Sequence, residues 1–304
     1  MKVRIASAWM LLLQGWMLLL FSGCIRDDLE ACPPLQIQLD VKDKNYLNVE
    51  AVYRLGLAEI VPEDLPFADY ISTLQYRLTD AETGEIIVDM PLEKMVGDGK
   101  TVAVPVPEDL PFGRYVLTAW GNLSEEVAEA QDSYTALSLH PNNSEGLDVY
   151  LASDTLVYNE VNYAYTVGLG RVKGKLIITA EGLPEKYRLS EKRISNISGH
   201  VDVRGGYSEV RSFDIVTVWE HPAHILTETY LAPSVRPSGS VCKVRFYVGE
   251  EVSDNWIAPE DVSFTMRRNE LTVLRYVYDP CCCRFKIYIL VNDNWELLHA
   301  MEID

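Results

Sequence analysis

The chain has 304 residues, 48% of them apolar and 24% charged. That balance excludes collagen-like and wholly disordered classes. The formal net charge is -18, from 27 Lys+Arg against 45 Asp+Glu. So acidic a chain repels phosphate backbones, and no nucleic-acid partner is expected.

Residues 1–23 read as a signal peptide. Lys2 and Arg4 form a positive start, and Ala6 to Phe21 is an apolar run broken by Gln14 and Gly15. A transmembrane helix needs about 20 apolar residues, so the run fits a cleaved signal better. Ser22-Gly23 then leads into Cys24. Small residues before a cysteine at this place are the signal for bacterial lipoprotein acylation. Cleavage would leave Cys24 as the first residue, anchored in the outer membrane through its lipid. It would also remove two cations, leaving 25 Lys+Arg against 45 Asp+Glu, a net of -20. The next residues, Arg26, Asp27, Asp28 and Glu30, resemble a surface-export signal of Bacteroidetes lipoproteins. Residues 24–34 are the expected tether.

The body reads as β. Leu35, Ile37, Leu39 and Val41 alternate with polar residues, as one buried face of a strand requires. Similar patterns follow at 74–78, 102–106 and 114–120. Residues 124–131 suit a short helix, with Ser124 as N-cap and Glu125 and Glu126 at its positive end. The strand pattern breaks over residues 152–162. Further strands are expected within 163–180, then at 210–218, 241–248, 271–278 and 285–291. Many short strands between turn residues predict an all-β chain of two tandem β-sandwich domains, residues 35–157 and 158–304. The heptapeptide VPEDLPF occurs twice, at 61–67 and 106–112, and reads as two related loops.

No pattern nominates catalytic chemistry, a cofactor or a metal. His221 and His224 flank Pro222, which disfavours a helical ligand pair. Carboxylates are plentiful, but no pair stands out, and the chain reads as non-enzymatic. With Cys24 acylated, Cys32, Cys242, Cys281, Cys282 and Cys283 remain as disulfide candidates or buried free thiols. Asn292-Asp293-Asn294 reads as a turn. Beyond it, Trp295, Leu297, His299, Met301 and Ile303 would share one face of an extended segment. That segment is either a last strand of its own sheet, a short terminal helix, or a strand offered to another subunit by β-augmentation.

Three stretches carry a resemblance. They are Cys24 to Pro34, Leu110 to Asn122 with its Ala-Trp-Gly, and Tyr165 to Pro184 with its Gly-Arg-Val. In this order they resemble the fimbrial anchor subunits of Bacteroidales, lipoproteins at the base of fimbrillin-type (type V) pili. The resemblance implies transthyretin-like Greek-key sandwiches, no enzymatic activity and a fimbrial stalk subunit as partner. In such pili a C-terminal donor strand from one subunit fills a groove in its neighbour. Polymerising subunits open that groove by losing their N-terminal strand, and an anchor keeps its own. Leu35 to Val41 would then fill this chain's groove, while Trp295 to Ile303 would dock on the next subunit. A tip or accessory subunit, or a surface lipoprotein binding glycans or host proteins, are the alternatives.

Overall fold

A computed structural model describes residues 33–130, 134–235 and 239–299. The strands in chain order are β1 (Gln36–Val41), β2 (Thr73–Asp80), β3 (Ile86–Lys94), β4 (Val102–Val104), β5 (Gly113–Gly121) and β6 (Ala136–Ser138). Then come β7 (Tyr150–Tyr158), β8 (Ala164–Arg171), β9 (Gly174–Glu181), β10 (Leu189–Asp202), β11 (Tyr207–Val218) and β12 (His224–Leu231). The last are β13 (Ser240–Tyr247), β14 (Trp256–Ile257), β15 (Val262–Phe264), β16 (Leu271–Asp279), β17 (Arg284–Val291) and β18 (Asn294–His299). Three short helices are α1 (Val49–Tyr53), α2 (Phe67–Tyr70) and α3 (Glu125–Ala130). The expected all-β sandwich architecture is what forms.

Among the described residues the strands make three sheets. The first runs β3-β2-β5-β7-β8-β1-β4. β7 and β8 pair only at Tyr150–Arg171 and Leu151–Gly170, so the sheet folds over at that corner. Its two halves enclose a core that includes Leu39, Leu74, Leu117, Leu156 and Leu169. A second core, with Leu176, Ile194, Phe246 and Tyr276 among its members, lies between the sheets β11-β10-β13-β14 and β12-β9-β16-β17-β18. Both cores follow from period-2 alternation, which gives each strand one apolar face to bury. From Pro34 onwards the described residues cluster as a single compact unit.

Three local expectations are met. Ser124 caps α3, its Oγ accepting the Val127 N–H at 3.4 Å. Asn292 and Asp293 both take positive φ, 47° and 67°, and close the β17–β18 hairpin, as a two-residue primed turn requires. Each VPEDLPF copy forms a loop with a turn at Glu-Asp, but the two end differently. Phe67 is buried and opens α2, whereas Phe112 stays exposed and packs edge-on against Tyr158 at 4.9 Å.

Two readings need correcting. The pattern break at 152–162 is largely strand, since β7 reaches Tyr158. Ser153, Asp154 and Thr155 look loop-like because that stretch of β7 faces solvent. Residues 164–171, expected to open the second sandwich, belong to the first sheet. The chain changes sheets at Val172-Lys173, between β8 and β9.

Gly174 sits at that crossing. A Cβ there would lie 2.3 Å from the Arg267 carbonyl oxygen and 2.8 Å from that of Glu270. Both are backbone atoms and cannot swing away. Gly174→Ala should therefore cost about 1–3 kcal/mol, as overpacking does, read as a lower urea midpoint at unchanged slope.

Candidate functional site

The first site is the seat of β1. On one side β1 pairs in parallel with β8, from Gln36↔Ala164 to Val41↔Leu169. On the other it pairs antiparallel with β4, Ile37 opposite Val104. Flanking bonds extend the seat, from Gln36 N–H to the Tyr163 carbonyl at 2.7 Å and Lys42 N–H to the Leu169 carbonyl at 2.9 Å. Leu35, Ile37, Leu39 and Val41 are 4%, 2%, 0% and 3% exposed. Burying such side chains contributes about 1.5–3 kcal/mol each. Withdrawing β1 would also leave backbone groups of β4 and β8 unpaired in an apolar groove.

The second site is the junction where the first sheet meets the other two. Arg171, at the end of β8, is its centre. Its Nε donates to Asp148 Oδ2 at 2.8 Å, and its Nη1 donates to Asn269 Oδ1 at 2.8 Å. Its Nη2 donates to the Tyr150 hydroxyl. The guanidinium stacks 4.1 Å from the Tyr46 ring centroid. Asp43 bridges the sheets, accepting the Arg171 backbone N–H at 2.8 Å and the Arg268 guanidinium at 3.1 Å. Burial raises the Asp148 carboxyl and is opposed by Arg171. Burial likewise pushes the Tyr46 and Tyr150 hydroxyls up.

A cleft of about 600 Å³ opens beside this junction, lined by Tyr46, Tyr70, Tyr230, Lys44, Lys175 and Glu228 among others. Its charges are largely spoken for. Lys175 pairs with Glu228 at 2.8 Å, and Lys44 donates to the Glu63 carbonyl. Lys44 and Lys175 also sit over the Tyr70 and Tyr230 rings, at 5.6 Å and 5.1 Å. Each of these rings, and Tyr46, thus has one face covered by a cation, so they do not form an open stacking platform.

The third site is the C-terminal strand. β18 pairs antiparallel with β17 and forms the edge of its own sheet. Trp295 lies opposite Leu290 and packs against the cluster that includes Val49 and Ile177, with Arg275 over its ring at 5.8 Å. Leu297 and Leu298 are 50% and 36% exposed. The ladder carries a register shift between Ile287 and Tyr288, which pair with His299 and Leu297.

The remaining expected residues are placed as follows. Cys24, Arg26, Asp27, Asp28, Glu30, Cys32, Met301 and Ile303 lie outside the described residues. Cys242 is free and fully buried in the second core. Cys281, Cys282 and Cys283 are free and exposed. Among the described residues no group of three His, Cys, Asp or Glu could hold a metal. Also among them, no helix is long and apolar enough to cross a membrane. The Arg171 junction is not legible as a unit in the sequence: Gly170-Arg171-Val172 stands out, but the partners Asp43, Asp148 and Asn269 are scattered along the chain.

No protein-family model and no curated protein matches the chain. Solved structures do. A candidate adhesin of Bacteroides thetaiotaomicron aligns at TM-score 0.55 and 13% identity, over 90% of this chain and 100% of that one. A candidate adhesin of Bacteroides ovatus aligns at 0.55 and 15%, over 91% and 98%. The fimbrial anchor protein Mfa2 of Porphyromonas gingivalis aligns at 0.51 and 13%, over 89% and 100%. At such identities the likeness establishes a common fold, the one the sequence resemblance implied.

Two predictions follow from the geometry. Leu39→Ala, at the middle of β1, should cost about 2–5 kcal/mol, measured by urea unfolding. The second concerns Lys173, which is 0% exposed and donates to the Glu145 carbonyl at 2.8 Å. Burial pulls its ammonium from 10.5 down to about 7. Between those values the unfolded chain binds more protons, so the Lys173 contribution makes stability rise with pH and is most unfavourable below about 7. Lys173→Met should therefore stabilise at pH 6 relative to pH 10, shown by comparing both proteins' unfolding at the two pH values.

Proposed function

We propose that the chain is a non-enzymatic outer-membrane lipoprotein that anchors a fimbrium to the cell surface and ends its growth at the base. The observation that carries this reading is the filled seat of β1. A subunit that polymerises by strand donation must offer a vacant groove to its neighbour. Here the groove between β4 and β8 is occupied by the chain's own strand, bonded on both sides. With β1 retained, such a chain suits one end of a fibre. The acylation signal at Cys24 favours the membrane end over the tip.

The two terminal strands differ in the way this role needs. β1 buries four apolar side chains almost completely. β18 is an edge strand with Leu297 and Leu298 partly in solvent and, among the described residues, one neighbouring strand. Freeing β18 costs far less than freeing β1, so the C-terminal segment is the one suited to donation to a stalk subunit. The fold shared with Mfa2 and with candidate adhesins supports a fimbrial or adhesive role at the cell surface.

Cys24→Ala should send assembled fibres into the medium, measured by immunoblotting cells and supernatant. Unchanged retention would sink the anchor role and leave the tip reading. Deleting residues 295–304 should release fibres while fatty-acid labelling of the anchor persists. Fibres that stay attached to that variant would end the donor role of the segment.

A further inference from the structure

Three consecutive cysteines, Cys281–Cys283, have no part in the sheets' cores or in the anchoring role proposed above. They form the tip of the β16–β17 hairpin, just after Pro280, and all three are exposed. The tip is a built turn. Asp279 is registered opposite Arg284, and Asp279 Oδ1 accepts the Cys281 N–H at 2.9 Å. Cys283 closes the turn in the left-handed conformation, φ 55°, with its Sγ 3.8 Å from the Pro280 carbonyl oxygen.

The triplet cannot be satisfied within the described chain. Cys242 is sealed in the second core, where burial pushes its thiol up to about 12 and keeps it unreactive. Neighbouring Cα atoms lie about 3.8 Å apart, short of the roughly 4.4 Å that a relaxed disulfide needs. Bonds between Cys281 and Cys282, or Cys282 and Cys283, are therefore disfavoured. A Cys281–Cys283 bond would still leave one exposed thiol, because three is odd.

Topology fixes where this thiol lies. β1 and β8 run in parallel from Gln36 and Ala164 towards the Arg171 junction. The chain crosses there through Val172 and Lys173, and β9 and β16 run in parallel onwards to Glu181 and Asp279. The two sheets meet at the junction, with Leu47 N–H bonded to the Asn269 carbonyl at 2.9 Å and Arg268 paired to Asp43 at 3.1 Å. The start of β1, where the tether enters, and the cysteine tip are thus the far poles of the two sheets. β18 also runs towards the cysteine pole, being antiparallel to β17.

We propose that the Cys281–Cys283 tip is an interchain disulfide site, which locks the fibre's neighbouring subunit to this chain at the pole away from the membrane. The location rests on the anchoring reading, since export places these thiols where disulfides persist. A second copy of the chain is the poorer partner. β18, the strand proposed for donation, runs towards the same tip and so brings a stalk subunit, not a second copy, beside it. The bond forms by thiol–disulfide exchange with a partner cysteine held as a mixed disulfide with a small thiol. The tip thiolate attacks the partner's sulfur, the mixed S–S bond breaks and the interchain S–S bond forms. The small thiol leaves and takes up the proton that the tip thiol released. The small-molecule disulfide that capped the partner is the overall oxidant. Three adjacent thiols keep one within reach over a range of docking angles.

The test uses fimbriated cells carrying the full-length chain, alkylated with N-ethylmaleimide before lysis and run on non-reducing gels. The wild type should show an adduct of this chain with one stalk subunit, which collapses on reduction. The C281S/C282S/C283S variant should lose the adduct but keep its fatty-acid label and surface location. A wild type that is wholly monomeric while fibres are attached would overturn the proposal. So would an adduct that persists in the triple variant, or one made of two copies of this chain. Failure of the anchoring reading shows separately, as fibres still attached in Cys24→Ala cells.

Discussion

The first sheet depends on one arrangement, a short N-terminal strand held between a parallel and an antiparallel neighbour. Parallel pairing of β1 with β8 joins residues far apart in sequence, Gln36 with Ala164. Such a pair yields nothing until a long loop has closed, so its entropy cost comes before its bonds. The strand repays that cost through Leu35, Ile37, Leu39 and Val41, which complete the core enclosed by β2, β5 and β7. Its polar alternates, Gln36 and Gln38, stay exposed, so a one-residue slip would place them in the core. Register and burial therefore enforce each other along the strand.

The Arg171 junction makes two sheet systems behave as one body. A buried guanidinium is costly to desolvate, and each acceptor it finds offsets part of that cost. Here Asp148, Asn269 and Tyr150 each accept from a different nitrogen, and Tyr46 covers one face of the plane. Asp148 comes from the segment before β7, Asn269 from that before β16, and Tyr46 from the loop after β1. Loss of any one partner leaves a buried charge short of a contact. The junction thus ties β1's position to that of β16, although the two strands share no core. Lys173 adds tension at the same place, since its ammonium is buried with a carbonyl rather than a carboxylate as its hydrogen-bond acceptor.

Much of the β architecture is legible in the sequence because alternation is local. β1, β2, β5, β13, β16 and β17 all follow apolar periodicity that can be read directly. The Ser124 cap and the Asn292-Asp293 turn are equally local. The misses have physical causes. α1 and α2 span five and four residues, too short for helical periodicity to register, and tertiary contacts of Val52 and Phe67 hold them. β7 was obscured by its solvent-facing Ser153-Asp154-Thr155. β10 is long, but its polar residues and the left-handed Asn196 at its bulge disguise it. The assignment of β8 to the first sheet rests on a non-local parallel pair, which no local pattern encodes. The Arg171 site is hidden for the same reason, since its ligands converge only in three dimensions.

The polarity of the chain links these features. A strand fixed at one pole and a strand loosely held beside the other give the molecule a direction. The tether enters next to β1, whose removal would open a core. β18 ends near the opposite pole, and its removal would uncover chiefly the apolar patch that Trp295 covers and one edge of β17. Between them the Arg171–Asp148 and Arg268–Asp43 ion pairs and their hydrogen bonds join the sheets, with only Val172 and Lys173 between β8 and β9. Pulling on the far pole therefore acts along strands that are hydrogen-bonded side by side. β1 yields only if its ladders to β4 and β8 break together, which is a cooperative event. β18 can peel from its one neighbour pair by pair. That asymmetry in hydrogen bonding and burial is what the proposed donation of β18 and retention of β1 would draw on.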